Sequence, residues 1–126
     1  GVHGGIAQSD LLVEDVDTTS FDGVVFVGGQ GSRVFFDDPH AWMLAQAMNG
    51  QGKMVAAICI APVVLANAGL LKKKNATVFE SEIATIEAKG AIYSESALTV
   101  DGNIITASGP DQARQFGLEI CKFLTA

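Results

Sequence analysis

Residues 53–71, "KMVAAICIAPVVLANAGLL", form an apolar segment that constrains the fold more than any other part of the chain. Its length is close to that of a membrane span, but Pro62, Asn67 and Gly69 interrupt it and much of it is alanine. A strand followed by a sharp turn and a helix explains these interruptions better. The segment predicts a buried strand over 53–59 and a helix over 61–71, with Pro62 in its first turn and Gly69 at its end.

The remaining apolar runs alternate between strand and helix signals. The predicted strands are 21–29 and 75–79, and the further predicted helices are 37–50, 81–90 and 109–126. Strand-like pieces within 91–108 flank Asp101-Gly102, which indicates a hairpin. Asp38 is predicted to cap the helix that Pro39 opens. Strands alternating with helices predict a single α/β domain over 1–126 with a mostly parallel sheet and a late β-hairpin.

The composition excludes several classes of function. A net charge of −6 over 126 residues disfavours nucleic-acid binding, and we expect the cluster Lys72-Lys73-Lys74 to be a solvated corner. Two cysteines make no disulfide framework, and the N-terminus "GVHGGIAQSD" lacks a signal-peptide pattern. We therefore expect a cytoplasmic protein that is not embedded in a membrane. No Cys/His spacing suggests a metal site, and "GGQGS" lacks the lysine of a phosphate loop, so we expect neither metal nor cofactor.

Cys59 lies where the predicted central strand ends and a helix begins. Ligands bind at this edge of a parallel sheet, and the α/β-hydrolase elbow presents its serine in the same way. A helix N-terminus is expected to lower the cysteine pKa below its free value of about 8.5. Backbone N–H groups at this turn and in "VGGQGS" (27–32) are candidates to hold an oxyanion. An inert core cysteine remains the alternative. Cys121 is predicted to be such a buried packing residue.

Four motifs, "FDGVVFVGGQGS", "AAICIAP", "DGNIITASGP" and the closing helix, resemble the ThiJ/PfpI family. This family includes PfpI-type intracellular proteases and the Parkinsonism-associated deglycase, within the class I glutamine-amidotransferase-like superfamily. The resemblance covers essentially the whole chain. It implies a flavodoxin-like three-layer α/β/α sandwich and a homodimer or larger homo-oligomer. Since the family's opening strand–helix–strand has no counterpart here, we expect the domain to be N-terminally incomplete.

The resemblance also implies roles for four residues. Cys59 matches the family's nucleophilic or oxidisable cysteine. Gly28 and Gly29 match the pair of glycines at the strand end. The backbone N–H groups of Gly29 and Ile60 match those that form the oxyanion site. We expect the backbone N–H of Gly28 to contribute to the same site. No general base is evident among these positions.

The chain departs from the family pattern where a base is expected. Ile60 stands where PfpI-type members carry a histidine directly after the cysteine. Phe79 occupies the place of the deglycase histidine, and the neighbouring Glu80 is a candidate acid/base group whose alternative is a solvated helix start. His3 is a weak candidate for a remote base, and His40 is expected at the surface.

These observations support one leading hypothesis and two alternatives. The leading hypothesis is an enzyme whose Cys59 thiolate attacks reactive carbonyls, as in glyoxalase or deglycase chemistry, or small amide and peptide substrates. The first alternative is a non-catalytic stress sensor or chaperone-like protein whose cysteine is oxidised. The second is a purely structural homologue.

Overall fold

A computed structural model describes residues 22–27 and 37–125. The strands are β1 (Gly23–Val27), β2 (Met54–Ile58), β3 (Asn75–Ala76), β4 (Ile92–Tyr93), β5 (Leu98–Asp101) and β6 (Ile104–Ala107). The helices are α1 (Pro39–Gly50), α2 (Pro62–Asn67), α3 (Ile83–Ala88) and α4 (Ala113–Thr125), and short 3-10 turns at Glu80–Glu82 and Pro110–Gln112 precede α3 and α4. Within the described ranges, no helix combines the length and the apolar content that crossing a bilayer requires.

The main sheet has the strand order β1-β2-β6-β5. β1, β2 and β6 run parallel, and β5 is antiparallel to β6 through the hairpin. Every residue of β2 is buried, which is typical of a parallel strand covered on both faces. The predicted mostly parallel sheet and late hairpin are therefore confirmed.

Alternate residues of the strands face two separate apolar cores. Val55 and Ala57 pack with α1, α2 and α3 on one face, whereas Ala56 and Ile58 pack with α4 on the other. This alternation follows from the two-residue period of a strand. The result is the predicted three-layer α/β/α sandwich, and it places the carboxyl ends of β1, β2 and β6 at one edge.

β3 is shorter than the predicted strand over 75–79 and belongs to a separate, parallel two-stranded sheet with β4. Side chains of the main sheet hold it in place. The Asn75 N–H donates to Asp101 Oδ2 at 2.8 Å, and the Thr77 N–H donates to Thr106 Oγ1 at 3.0 Å. The Thr77 N–H is thus satisfied by a side chain of β6 and not by a backbone carbonyl.

The predicted end signals of α1 and α2 are present in the structure, although α2 ends at Asn67 and the prediction extended it to 71. Asp38 Oδ1 accepts a 2.9 Å hydrogen bond from the His40 N–H and so caps α1. Gly69, with φ of 82°, follows the end of α2. The Leu70 N–H donates to the Leu65 carbonyl there, which is the pattern of a Schellman motif.

Three residues of the predicted helices 37–50 and 109–126 that could be expected in the core lie at the surface. Met43 and Ala113 are apolar but exposed, and Leu44 takes the core position in α1. Cys121 was predicted to be buried but is exposed. It follows the buried Ile120, and one helical residue turns the side chain by about 100°, which carries Cys121 to the solvent side.

Candidate functional site

Cys59 occupies a strained bend between β2 and α2. Its φ is 65°, in the left-handed region that L-residues with a Cβ rarely adopt. Such a conformation costs about 1–2 kcal/mol for a residue other than glycine. Within the described ranges, Lys73 is the one other such non-glycine residue. The predicted sharp turn at Cys59 is therefore present in the structure.

Three backbone hydrogen bonds fix this bend. The Cys59 N–H donates to the Ala107 carbonyl at 3.0 Å, and the Phe79 N–H donates to the Cys59 carbonyl at 2.8 Å. The Ala61 N–H closes the turn onto the Ile58 carbonyl at 3.2 Å. The bend is thus bonded both to the end of β6 and to the chain that leaves β3, so its strain is held by the surrounding structure.

The Cys59 side chain is partly buried against the apolar core that α4 covers. Burial raises the pKa of the Cys59 thiol, because the apolar surroundings disfavour the thiolate. The position of Cys59 before a helix predicts the opposite direction for its pKa, and that prediction is wrong. α2 spans six residues, so it offers a short dipole, whereas desolvation acts directly on the sulfur.

Ile60 lies next to this thiol and keeps its backbone N–H available. No carbonyl or side chain in the described ranges accepts a hydrogen bond from that N–H. The apolar side chain of Ile60 offers no proton acceptor to Cys59, as predicted from the residue type. Gly28 and Gly29, the other predicted oxyanion residues, lie outside the described residues, as does His3.

A cavity of about 290 Å³ opens at the same edge of the sheet. Its walls come from the chain after β3, the end of β4 and the segment between β6 and α4. The lining residues are Val78, Phe79, Glu80, Tyr93, Ser108, Gly109, Asp111 and Gln112. Cys59 does not line the cavity, but its backbone is bonded to Phe79 and to Ala107, the residue before Ser108.

The other sequence candidates lie apart or have other roles. His40 is at the surface beside Asp38, whose Oδ1 lies 3.4 Å from its Nδ1. Lys72, Lys73 and Lys74 are exposed before β3, as predicted. Glu80 is exposed and begins a 3-10 turn. In the part of the chain that is described, no group of three or more His, Cys, Asp or Glu residues is placed to hold a metal ion.

The order and geometry of these elements match a known family over almost the entire sequence. A model of the DJ-1/PfpI family matches residues 1–123. The chain belongs to the DJ-1/PfpI family. The ThiJ/PfpI resemblance noted in the sequence is thereby confirmed.

Several members of the DJ-1/PfpI family are similar to this chain. An uncharacterized protein of Methanocaldococcus jannaschii is 42% identical over 97% of this chain and 61% of its own length. A deglycase of Thermococcus kodakarensis is 30% identical over 98% of this chain and 75% of its own length. A candidate cysteine protease of Bacillus subtilis is 32% identical over 98% of this chain and 73% of its own length. The chain thus spans 61% to 75% of these three relatives.

Solved structures agree with the fold. The ThiJ/PfpI domain protein of Brachyspira murdochii superposes with a TM-score of 0.89 at 34% identity, over 92% of this chain and 67% of that protein. Drosophila melanogaster DJ-1beta superposes with a TM-score of 0.75 at 31% identity, over 87% of this chain and 57% of that protein.

Four residues of the cavity lining have no predicted role in the sequence: Tyr93, Ser108, Asp111 and Gln112. Ser108 and Asp111 lie in or beside the motif "DGNIITASGP", which carries part of the family resemblance. The available signal was position, because residues that follow parallel strands meet at one edge of the sheet. Tyr93 carried no such signal, since its strand is two residues long and belongs to the small sheet.

Proposed function

We propose that this chain carries the reactive cysteine of a DJ-1/PfpI enzyme that acts on reactive carbonyl compounds. The observation that supports the proposal is the strained backbone of Cys59, with φ of 65° at the carboxyl edge of the parallel sheet. Strain of this kind is concentrated at functional sites. The deglycase from Thermococcus kodakarensis supports the carbonyl class of substrate. The Bacillus subtilis relative makes small amides or peptides the second substrate class for the same nucleophile.

In the proposed first step, the Cys59 thiolate adds to the carbonyl carbon of an aldehyde. A bond forms between Sγ and carbon, and the π electrons of the carbonyl move to its oxygen. The resulting alkoxide then takes a proton and becomes a hemithioacetal. We propose that the Ile60 N–H stabilises the alkoxide, together with N–H groups of Gly28 and Gly29.

The thiol must lose its proton before this addition. Burial raises the Cys59 pKa, which makes the loss of that proton less favourable. The reaction therefore needs a base, and Ile60 supplies none. Glu80, which directly follows Phe79 in the chain, is the carboxylate that we propose to test for this role.

Consumption of methylglyoxal tests the proposal. We expect the wild type and Cys121→Ser to consume it at equal rates and Cys59→Ser to lose the activity. Cys121→Ser is the matched control, because it removes the exposed thiol and leaves the bend intact. Equal consumption by wild type and Cys59→Ser would contradict the proposal. So would inactivity of the wild type combined with clean oxidation of Cys59 by peroxide, which is the behaviour of a redox sensor.

A further inference from the structure

The proposed cysteine chemistry uses Glu80 but no other side chain in the lining of the cavity beside Cys59. Phe79 and Ser108 connect the two sites, since the Phe79 N–H is bonded to the Cys59 carbonyl and Ser108 follows the residue that accepts from the Cys59 N–H. Two segments of the cavity wall are therefore joined to the bend at Cys59 through its backbone hydrogen bonds. The volume of about 290 Å³ suits a small group rather than a folded partner.

The lining combines aromatic faces with carboxylates. Phe79 keeps 40% of its surface exposed, and Tyr93 is half-buried. Glu80 and Asp111 add two carboxylates, and no Lys, Arg or His lines the cavity among the described residues. Aromatic rings attract cations to their faces, and carboxylates accept hydrogen bonds from ammonium and guanidinium groups.

Four polar side chains of the cavity lining are available to bind a ligand. In the described ranges, the side chains of Glu80, Asp111, Tyr93 and Gln112 have neither a hydrogen-bond partner nor an ion-pair partner. Their acceptors are therefore free for a ligand. Asp101, in contrast, is a carboxylate that the fold already uses, because its Oδ2 accepts from the Asn75 N–H.

We propose that this cavity binds the cationic group of the substrate, an ammonium or a guanidinium, while the reacting carbon lies at Cys59. The proposal rests on the proposed role of Cys59 and gives it a preference for carbonyl compounds or adducts that carry a positive charge over neutral ones such as methylglyoxal. Phe79 and Tyr93 contact the cation through their rings, and Glu80 and Asp111 neutralise it.

Charged thiol reagents test the cavity without requiring turnover. In a Cys121→Ser background, Cys59 is labelled with trimethylammonium-ethyl methanethiosulfonate and with the sulfonato-ethyl analogue. The ratio of the two rates is divided by the ratio measured for the same protein unfolded in urea. We expect this normalised preference for the cation to fall about fivefold in Glu80→Gln/Asp111→Asn, as for partly exposed ion pairs, and to shrink with added salt.

The matched control is Asp22→Asn/Glu87→Gln, which removes the same charge from exposed positions outside the cavity. It should leave the preference almost unchanged. An unchanged preference in Glu80→Gln/Asp111→Asn, or an equal fall in the control, would overturn the proposal. The two failures are distinguishable: a charge preference without methylglyoxal consumption refutes the enzyme and keeps the cavity, whereas consumption without a preference does the reverse.

Discussion

The N–H of Phe79 donates a 2.8 Å hydrogen bond to the carbonyl oxygen of Cys59. This bond joins the bend after β2 to the chain that leaves β3, so the backbone of the candidate nucleophile is bonded to a wall of the cavity. The Ala107 carbonyl, which accepts from the Cys59 N–H, joins the end of β6 to the same bend. The site therefore depends on contacts between segments that lie far apart in the sequence.

The hydroxyl of Thr106 is predicted to stabilise the path of the chain between β3 and Phe79. It accepts the buried Thr77 N–H at 3.0 Å and so directs the chain toward Phe79. Thr106→Val keeps the volume but leaves that N–H without an acceptor, which should lower the free energy of unfolding by about 2 kcal/mol. Urea unfolding measures the change.

Thr106→Ser is the matched control for that variant. It keeps the acceptor and loses one methyl group, so we expect a loss of about 1 kcal/mol. A Thr106→Val protein as stable as Thr106→Ser would show that the hydrogen bond contributes little.

The strain at Cys59 predicts an unusual order of stabilities. Glycine adopts a positive φ without a Cβ penalty, so Cys59→Gly should be more stable than Cys59→Ala by about 1 kcal/mol. At Ala84, an exposed residue of α3, the order should reverse, because Ala84→Gly weakens a helix by about 1 kcal/mol. Alanine and glycine giving equal stability at position 59 would mean that the bend relaxes when the thiol is removed.

Lys73 offers an independent test of the backbone, since its φ is 63° and its side chain is exposed. Lys73→Gly should stabilise the protein by about 1 kcal/mol, and glycine keeps the N–H that donates to the Gly90 carbonyl. Lys72 and Lys74 lack a positive φ, so the same change at either position should not stabilise. Thermal unfolding of the three variants gives the comparison. An equal change in melting temperature at all three positions would contradict a backbone strain specific to Lys73.

The reactivity of Cys59 is predicted to depend on pH in a defined direction. Because burial raises the thiol pKa, alkylation by iodoacetamide should reach half its maximal rate at a higher pH in the folded protein than in the urea-unfolded protein. Peptide mass spectrometry follows Cys59 separately from Cys121. A midpoint below that of the unfolded protein would indicate an activating group near the sulfur.

The same shift has a consequence for stability. A raised pKa in the folded state means that the folded protein holds the proton more tightly, so its free energy of unfolding falls as the pH rises. The contribution is complete below the pKa of the unfolded thiol and is lost as the pH passes through the raised value. Cys59→Ser lacks this component, and the difference between the two proteins across alkaline pH measures it.

Local signals in the sequence were sufficient for the bend and for most of the elements, although β3 is shorter than the strand predicted over 75–79. Strand and helix in 53–71 could be separated because Pro62 and Gly69 act on their own backbone, whatever the rest of the chain does. The cap at Asp38 and the hairpin at Gly102 follow from equally local chemistry. The parallel sheet could be predicted because strands alternate with helices along the chain.

The tertiary structure alone decided the state of the thiol and the composition of the cavity. The sequence around Cys59 indicates a helix start that would lower the pKa, but the core against which α4 packs determines how much water reaches the sulfur. In the same way, Phe79, Tyr93 and Asp111 are distant in the chain and meet because β3, β4 and β6 end at one edge. Desolvation and proximity depend on the packing of remote segments, and no local pattern specifies them.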